Sequence, residues 1–107
     1  MARKRRVVEM TPGPPLETLL AVEPVRTLNV HGHSTDQAAR AVADFVRTCA
    51  RSESGQVVAI VTGKGLHSAG APRLEPLVRR LLDGELARFV AGFSRDSARG
   101  RFLVRVR

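Results

Sequence analysis

The run Val57-Val58-Ala59-Ile60-Val61 constrains this chain more than any other stretch. Five consecutive apolar residues, four of them β-branched, suit a strand buried on both faces or central in a sheet, as in parallel βαβ units. Ser52-Glu53-Ser54-Gly55 bounds the run on one side and Thr62-Gly63-Lys64-Gly65 on the other, both rich in turn residues. The flanking segments must therefore supply neighbouring strands and a helical layer.

The segment before it does so. A first strand is predicted over Val25 to His31, entered just after Pro24. Ser34 followed by Gln37 is a capping box, and Asp36 complements the helix dipole. Ala38, Val42, Phe45, Val46 and Cys49 then recur at spacings of three and four, with Arg40, Asp44, Arg47 and Arg51 off that stripe. Strand, helix and strand in this order make a right-handed parallel unit.

Beyond the interior strand, a loop over Leu66 to Ala71 leads to a second helix. Pro72 suits its first turn, Pro76 must lie close to its N-terminus, and Leu74, Leu77, Val78, Leu81 and Leu82 form its apolar stripe up to a stop at Gly84. Arg88 to Phe93 reads as a third strand, Ser94 to Gly100 as a basic turn-rich loop, and Arg101 to Val106 as a last strand forming an antiparallel hairpin with the third. The order β-α-β-α-β-β gives an α/β fold, a two-layer α/β sandwich with a mixed four-stranded sheet.

The N-terminal 24 residues differ in character. Arg3-Lys4-Arg5-Arg6 is a basic cluster, and Thr11-Pro12-Gly13-Pro14-Pro15 is an extended spacer. Leu16 to Leu20 suggests one helical turn whose leucines pack on the domain. The expected division is a basic, Pro-rich extension over 1–24 and a folded domain over 25–107.

Charge narrows the function classes. Eighteen Lys and Arg against ten Asp and Glu leave +8, an excess that suits a polyanion, and the predominance of Arg suits bidentate phosphate contact. Four Phe with no Trp or Tyr argue against base-stacking platforms for single strands. The single cysteine, Cys49, rules out an intrachain disulfide and reads as a buried small hydrophobe, in keeping with a reducing cytoplasm. No zinc-ligand spacing, signal-peptide core or membrane-spanning run is present, so a cytoplasmic protein without a membrane partner is expected.

Two strand ends carry the candidate chemistry. His31-Gly32-His33 follows the first strand and Gly63-Lys64-Gly65 the second. If those strands are parallel, both turns leave the same sheet edge, where a helix N-terminus, close-approaching glycine backbone and a lysine favour phosphate. The histidines can there transfer protons or stabilise charge. Ser68 stands where a dinucleotide fingerprint needs glycine, and Gly65 follows Lys64 where a Walker loop needs Ser or Thr. Each turn alone is commonplace; together, in a basic chain, they point to a phosphate-facing site.

These residues resemble a known family. Leu28-Asn29-Val30-His31-Gly32 is similar to the Leu-Asp-x-His-Gly motif of Smr (small MutS-related) domains, and Thr62-Gly63-Lys64-Gly65 to their His/Thr-Gly-x-Gly motif. His67-Ser68, Gly70, the leucine-rich helix and Gly100 before the last strand agree, over roughly residues 25–107. The resemblance implies a sandwich like the C-terminal domain of translation initiation factor 3, nucleic-acid binding and, in some members, endonuclease activity. It also implies roles in cleavage for the first motif's Asp and His. Here His31 matches, while Asn29 stands at the Asp position, and Arg99-Gly100 replaces the usual Gly-Gly.

Two functional expectations follow. In the first, the domain cuts RNA or DNA: His31 transfers the proton, with Asn29 beside it and His33 or His67 as a second imidazole. Gly32, Thr62, Gly63, Lys64 and Gly65 then hold the phosphate, while Arg3, Lys4, Arg5 and Arg6 add affinity. The residues select no definite cofactor, and a divalent metal such as Mg²⁺ is a candidate for a nuclease. In the second, Asn29, which cannot act as a general base, leaves a non-catalytic module binding nucleic acid or the ribosome. A protein-interaction module with a basic tail is the third class, and no motif selects it.

Overall fold

The computed structural model describes Leu19, residues 21–63 and residues 71–107. The expected spacer, the Leu66–Ala71 loop, and Arg3 to Arg6, Lys64, Gly65 and His67 therefore lie outside the described residues or, for the loop, all but its last residue. The elements are β1 (Thr27–Asn29), α1 (Thr35–Ser52), β2 (Val57–Val61), α2 (Ala71–Asp83), β3 (Val90–Asp96) and β4 (Arg101–Val106). Short 3-10 turns, Ala87–Phe89 and Ser97–Arg99, precede and follow β3. None of the described helices is long and apolar enough to cross a membrane.

The sheet order is β1-β2-β4-β3. β1 and β2 are parallel, whereas β4 runs antiparallel to both β2 and β3. The expected mixed sheet and two-layer sandwich are thus observed, with the last strand inserted between the second and third. Residues 57–60 are buried, as an interior strand requires.

Both helices cover one sheet face. Ala38, Val42, Val46 and Cys49 of α1 and Leu74, Val78 and Leu82 of α2 pack with Val58, Ile60, Phe102, Val104 and Val106. Phe45 lies at the margin of this core, while Ala43, off the expected stripe, joins it. Pro76 sits inside α2, just past its first turn, where the missing N–H removes one intrahelical bond. The opposite face has a smaller cluster: Leu19, only 2% exposed, seals Val57, Ala59 and Leu103, with Val22 beside it. Burying a leucine there contributes roughly 2 kcal/mol.

Two strands differ in extent from expectation. β1 covers Thr27–Asn29 rather than Val25 to His31. After it the Asn29 side chain and the following turn take the His31 and His33 amides, while ahead of it Val25 and Arg26 still bond to Val57 and Ala59. β3 starts at Val90 rather than Arg88, because Arg88 and Phe89 belong to the 3-10 turn before it, and it continues to Asp96 through three residues that read as loop. Polarity there does not end the strand: Arg95 pairs in register with Phe102 and Asp96 with Arg101, so both polar side chains find cross-strand partners.

Candidate nucleic-acid interface

The parallel pairing brings the ends of β1 and β2 to one edge. At the β1 end, the His31 N–H donates to Asn29 Oδ1 at 2.9 Å, and the His33 N–H closes a turn on the Val30 carbonyl at 2.9 Å. Gly32 occupies the third position of that turn at φ 91°, a left-handed value that favours glycine. Asn29 therefore acts first as an acceptor that shapes the backbone beneath His31. The buried Val30 anchors the turn, while His31 is exposed.

The start of α1 is already well satisfied. Ser34 Oγ accepts the Gln37 N–H at 3.1 Å, and Gln37 Oε1 accepts the Ser34 N–H at 2.9 Å, completing the expected capping box. With Asp36 also in the first turn, this helix start offers an anion less than a bare N-terminus would. His33 is half-buried and borders a shallow groove along α1 with Asp36, Gln37, Arg40, Ala41 and Asp44.

Gly63 meets His31 directly. It has φ 95°, and a Cβ there would overlap His31 Cδ2 and lie 3.1 Å from Nε2. The imidazole thus packs over the one residue type that leaves it room. The Thr62 and Gly63 amides both donate to the Gly100 carbonyl, each at 2.9 Å. The Gly63 N–H is consequently engaged, and what Gly63 contributes at this edge is space and backbone conformation.

Arg95 holds the same segment from the helix-facing side. Its guanidinium donates to Thr62 Oγ1 at 3.0 Å and to the Gly63 carbonyl at 3.2 Å. It also lies 5.0 Å from the centre of the Phe102 ring. Burial lowers the Arg95 pKa from its ordinary value, with Glu75 opposing that shift and Arg79 adding to it. Below, on β4, Arg101 Nε contacts Asp96 Oδ2 at 3.0 Å, with both side chains largely buried.

Burial on its own would raise the Asp96 pKa. The hydrogen bonds from Arg101 and the Arg99 amide, with the charges of those two arginines, outweigh it and hold the carboxyl below its usual range. Asp96 also supports the Ser97–Arg99 turn by accepting the Arg99 N–H. That turn ends at Gly100, whose carbonyl holds Thr62 and Gly63.

Of the sequence-derived residues, Asn29, His31, Gly32, Thr62 and Gly63 meet at this edge, and His33 borders the α1 groove. Arg95 and Gly100 are additions. Gly100 appeared in the sequence only as a motif glycine, whereas its carbonyl serves two amides. The alternation of Phe93 and Arg95 was the available signal that strand structure continues, with Arg95 on the phenylalanine face. Among the described residues, no three His, Cys, Asp or Glu side chains are grouped as a metal-ligand set.

The comparisons agree with the motifs. No curated protein and no solved structure matches the chain. The Smr domain family model matches residues 28–107, which contain both strand-end motifs and all four strands from Leu28 onward. The chain therefore belongs to the Smr domain family, whose members are nucleic-acid-binding and nuclease-like domains.

Proposed function

We propose that this domain binds the sugar–phosphate backbone of RNA or DNA at the joined ends of β1 and β2 and cuts it with His31. The observation that carries the reading is the exposed His31 imidazole packed on Gly63, with its backbone held by Asn29. On RNA, His31 takes the proton from a ribose 2′-hydroxyl as that oxygen attacks phosphorus. The bond from phosphorus to the 5′ oxygen breaks, leaving a 2′,3′-cyclic phosphate, and the departing oxygen takes a proton from His33, His67 or water. On DNA the nucleophile is water. Lys64 is assigned to the developing negative charge on sequence grounds. The lone buried Cys49 accords with action in the reducing cytoplasm.

The experiment uses the full chain with structured RNA and supercoiled plasmid, with and without Mg²⁺, beside His31→Ala. Expected is a loss of cleavage of roughly 100-fold or more in the variant, with binding preserved within about threefold. Cleavage that survives His31→Ala would remove His31 from the chemistry.

A second reading is favoured by one observation: Asn29 provides an amide where the family motif carries a carboxylate. The domain would then bind nucleic acid or the ribosome without cutting. Its signature is binding without turnover, with affinity falling steeply with salt. Replacing Arg3, Lys4, Arg5 and Arg6 by Gln would lower the log–log salt slope by roughly three units if all four meet phosphates.

A further inference from the structure

We infer that Arg95 is a positioning residue for His31, acting through the Gly63 peptide; its effect on cleavage rests on the proposed function, whereas the placement itself can be tested without it. Arg95 stands on the helix-facing side of β3, in register with Phe102. An apolar side chain at such a position would avoid the cost of partly burying a charge. The guanidinium instead stacks on Phe102 and directs two donors at one short segment, Thr62 Oγ1 and the Gly63 carbonyl.

The segment is held at both ends of one residue. The Gly63 N–H is fixed by Gly100, and its carbonyl accepts from Arg95 and, more distantly at 3.4 Å, from the Thr62 hydroxyl. Gly63 in turn forms the floor against which the His31 ring packs. A shift in this peptide must move that floor, because the contact leaves no spare space. The physical path is therefore from the Arg95 guanidinium to the Gly63 carbonyl, then from Gly63 to the imidazole.

The alternatives make different predictions. Were Arg95 simply stabilising the sheet, its replacement would lower stability without altering the His31 environment. Were it a direct phosphate ligand, its replacement would weaken binding and lower the salt slope by about one unit. Positioning instead alters the imidazole in the free protein and lowers turnover more than substrate affinity.

The test is a ¹H–¹³C spectrum of the histidine rings in the full chain, with the His31 peak assigned through His31→Gln. Arg95→Met keeps an aliphatic stem on Phe102 but removes both donors. Thr62→Val keeps nearly the same volume and removes one acceptor, which provides a second route should Arg95→Met fail to fold. Each is expected to move the His31 peak while leaving His33 in place, and Arg95→Lys should return it most of the way. In cleavage assays, Arg95→Met should lower kcat by about tenfold or more with KM within about twofold.

A His31 peak unmoved in both Arg95→Met and Thr62→Val overturns the inference, as does an unmoved peak with a reduced salt slope. If the peak moves as expected but the parent chain cuts neither RNA nor DNA, the positioning stands and the nuclease reading falls.

Discussion

His31 and Gly63 share one volume, since the imidazole fills the space where a side chain at position 63 would begin. Gly63→Ala must therefore meet both a steric overlap and a left-handed φ of 95°. Gly55 provides the control: its φ is 80°, but no atom lies within 4 Å of the added Cβ. The expected costs are about 2–3 kcal/mol for Gly63→Ala and about 1 kcal/mol for Gly55→Ala, read from urea midpoints. Only Gly63→Ala should also displace the His31 ring signals.

Asn29 separates the shape of the turn from its charge. Asn29→Asp keeps an oxygen for the His31 N–H, so unfolding free energy should remain within about 0.5 kcal/mol of the parent. Asn29→Ala removes the acceptor and should cost about 1 kcal/mol. In cleavage assays, Asn29→Asp is expected to be the faster enzyme, because the new carboxylate favours a protonated imidazole during transfer. A rate that falls below the parent would show that the uncharged amide is preferred.

Asp96 links the site to pH. Its carboxyl titrates lower in the folded chain than in the unfolded one, so its pairing contributes stability above the ordinary aspartate range near pH 4 and loses it as pH falls through the folded value. Asp96→Asn should thus be less stable than the parent by about 1–2 kcal/mol at pH 7. The difference should shrink toward zero on acidification below roughly pH 4. Parallel urea titrations at pH 7, 5 and 3 would display it; a difference independent of pH would contradict it.

Leu19 is expected to matter although it precedes the family match. It covers Val57, Ala59 and Leu103 on the sheet face away from the helices. Leu19→Ala should cost about 2–3 kcal/mol in urea unfolding, with His31 ring signals unchanged. A cost below about 0.5 kcal/mol would mean that the surrounding chain fills the gap.

What the sequence made legible was local or periodic. The β-branched run, the Ser34–Gln37 box and the apolar stripe ending at Cys49 each declare an element over a few residues, and the chain order then makes β1 and β2 parallel. The meeting of His31 with Gly63 follows from that pairing. The support beneath them did not follow, because it joins residues more than thirty positions apart: Arg95 to Thr62 and Gly63, and Gly100 to the same two. Ser94-Arg95-Asp96 resembled a polar loop for a related reason. Phe102 and Arg101, which make those charges acceptable in a strand, lie on its partner.

The placement of β4 between β2 and β3 has a consequence for biosynthesis. The histidine turn and the glycine turn are made first, and Gly100 and the strand that completes the sheet follow more than thirty residues later. A nascent chain that has reached Gly63 holds every atom of the His31 contact without the carbonyl and guanidinium that fix it. For a domain proposed to cut RNA, the cutting edge then takes shape only once β4 has joined the sheet.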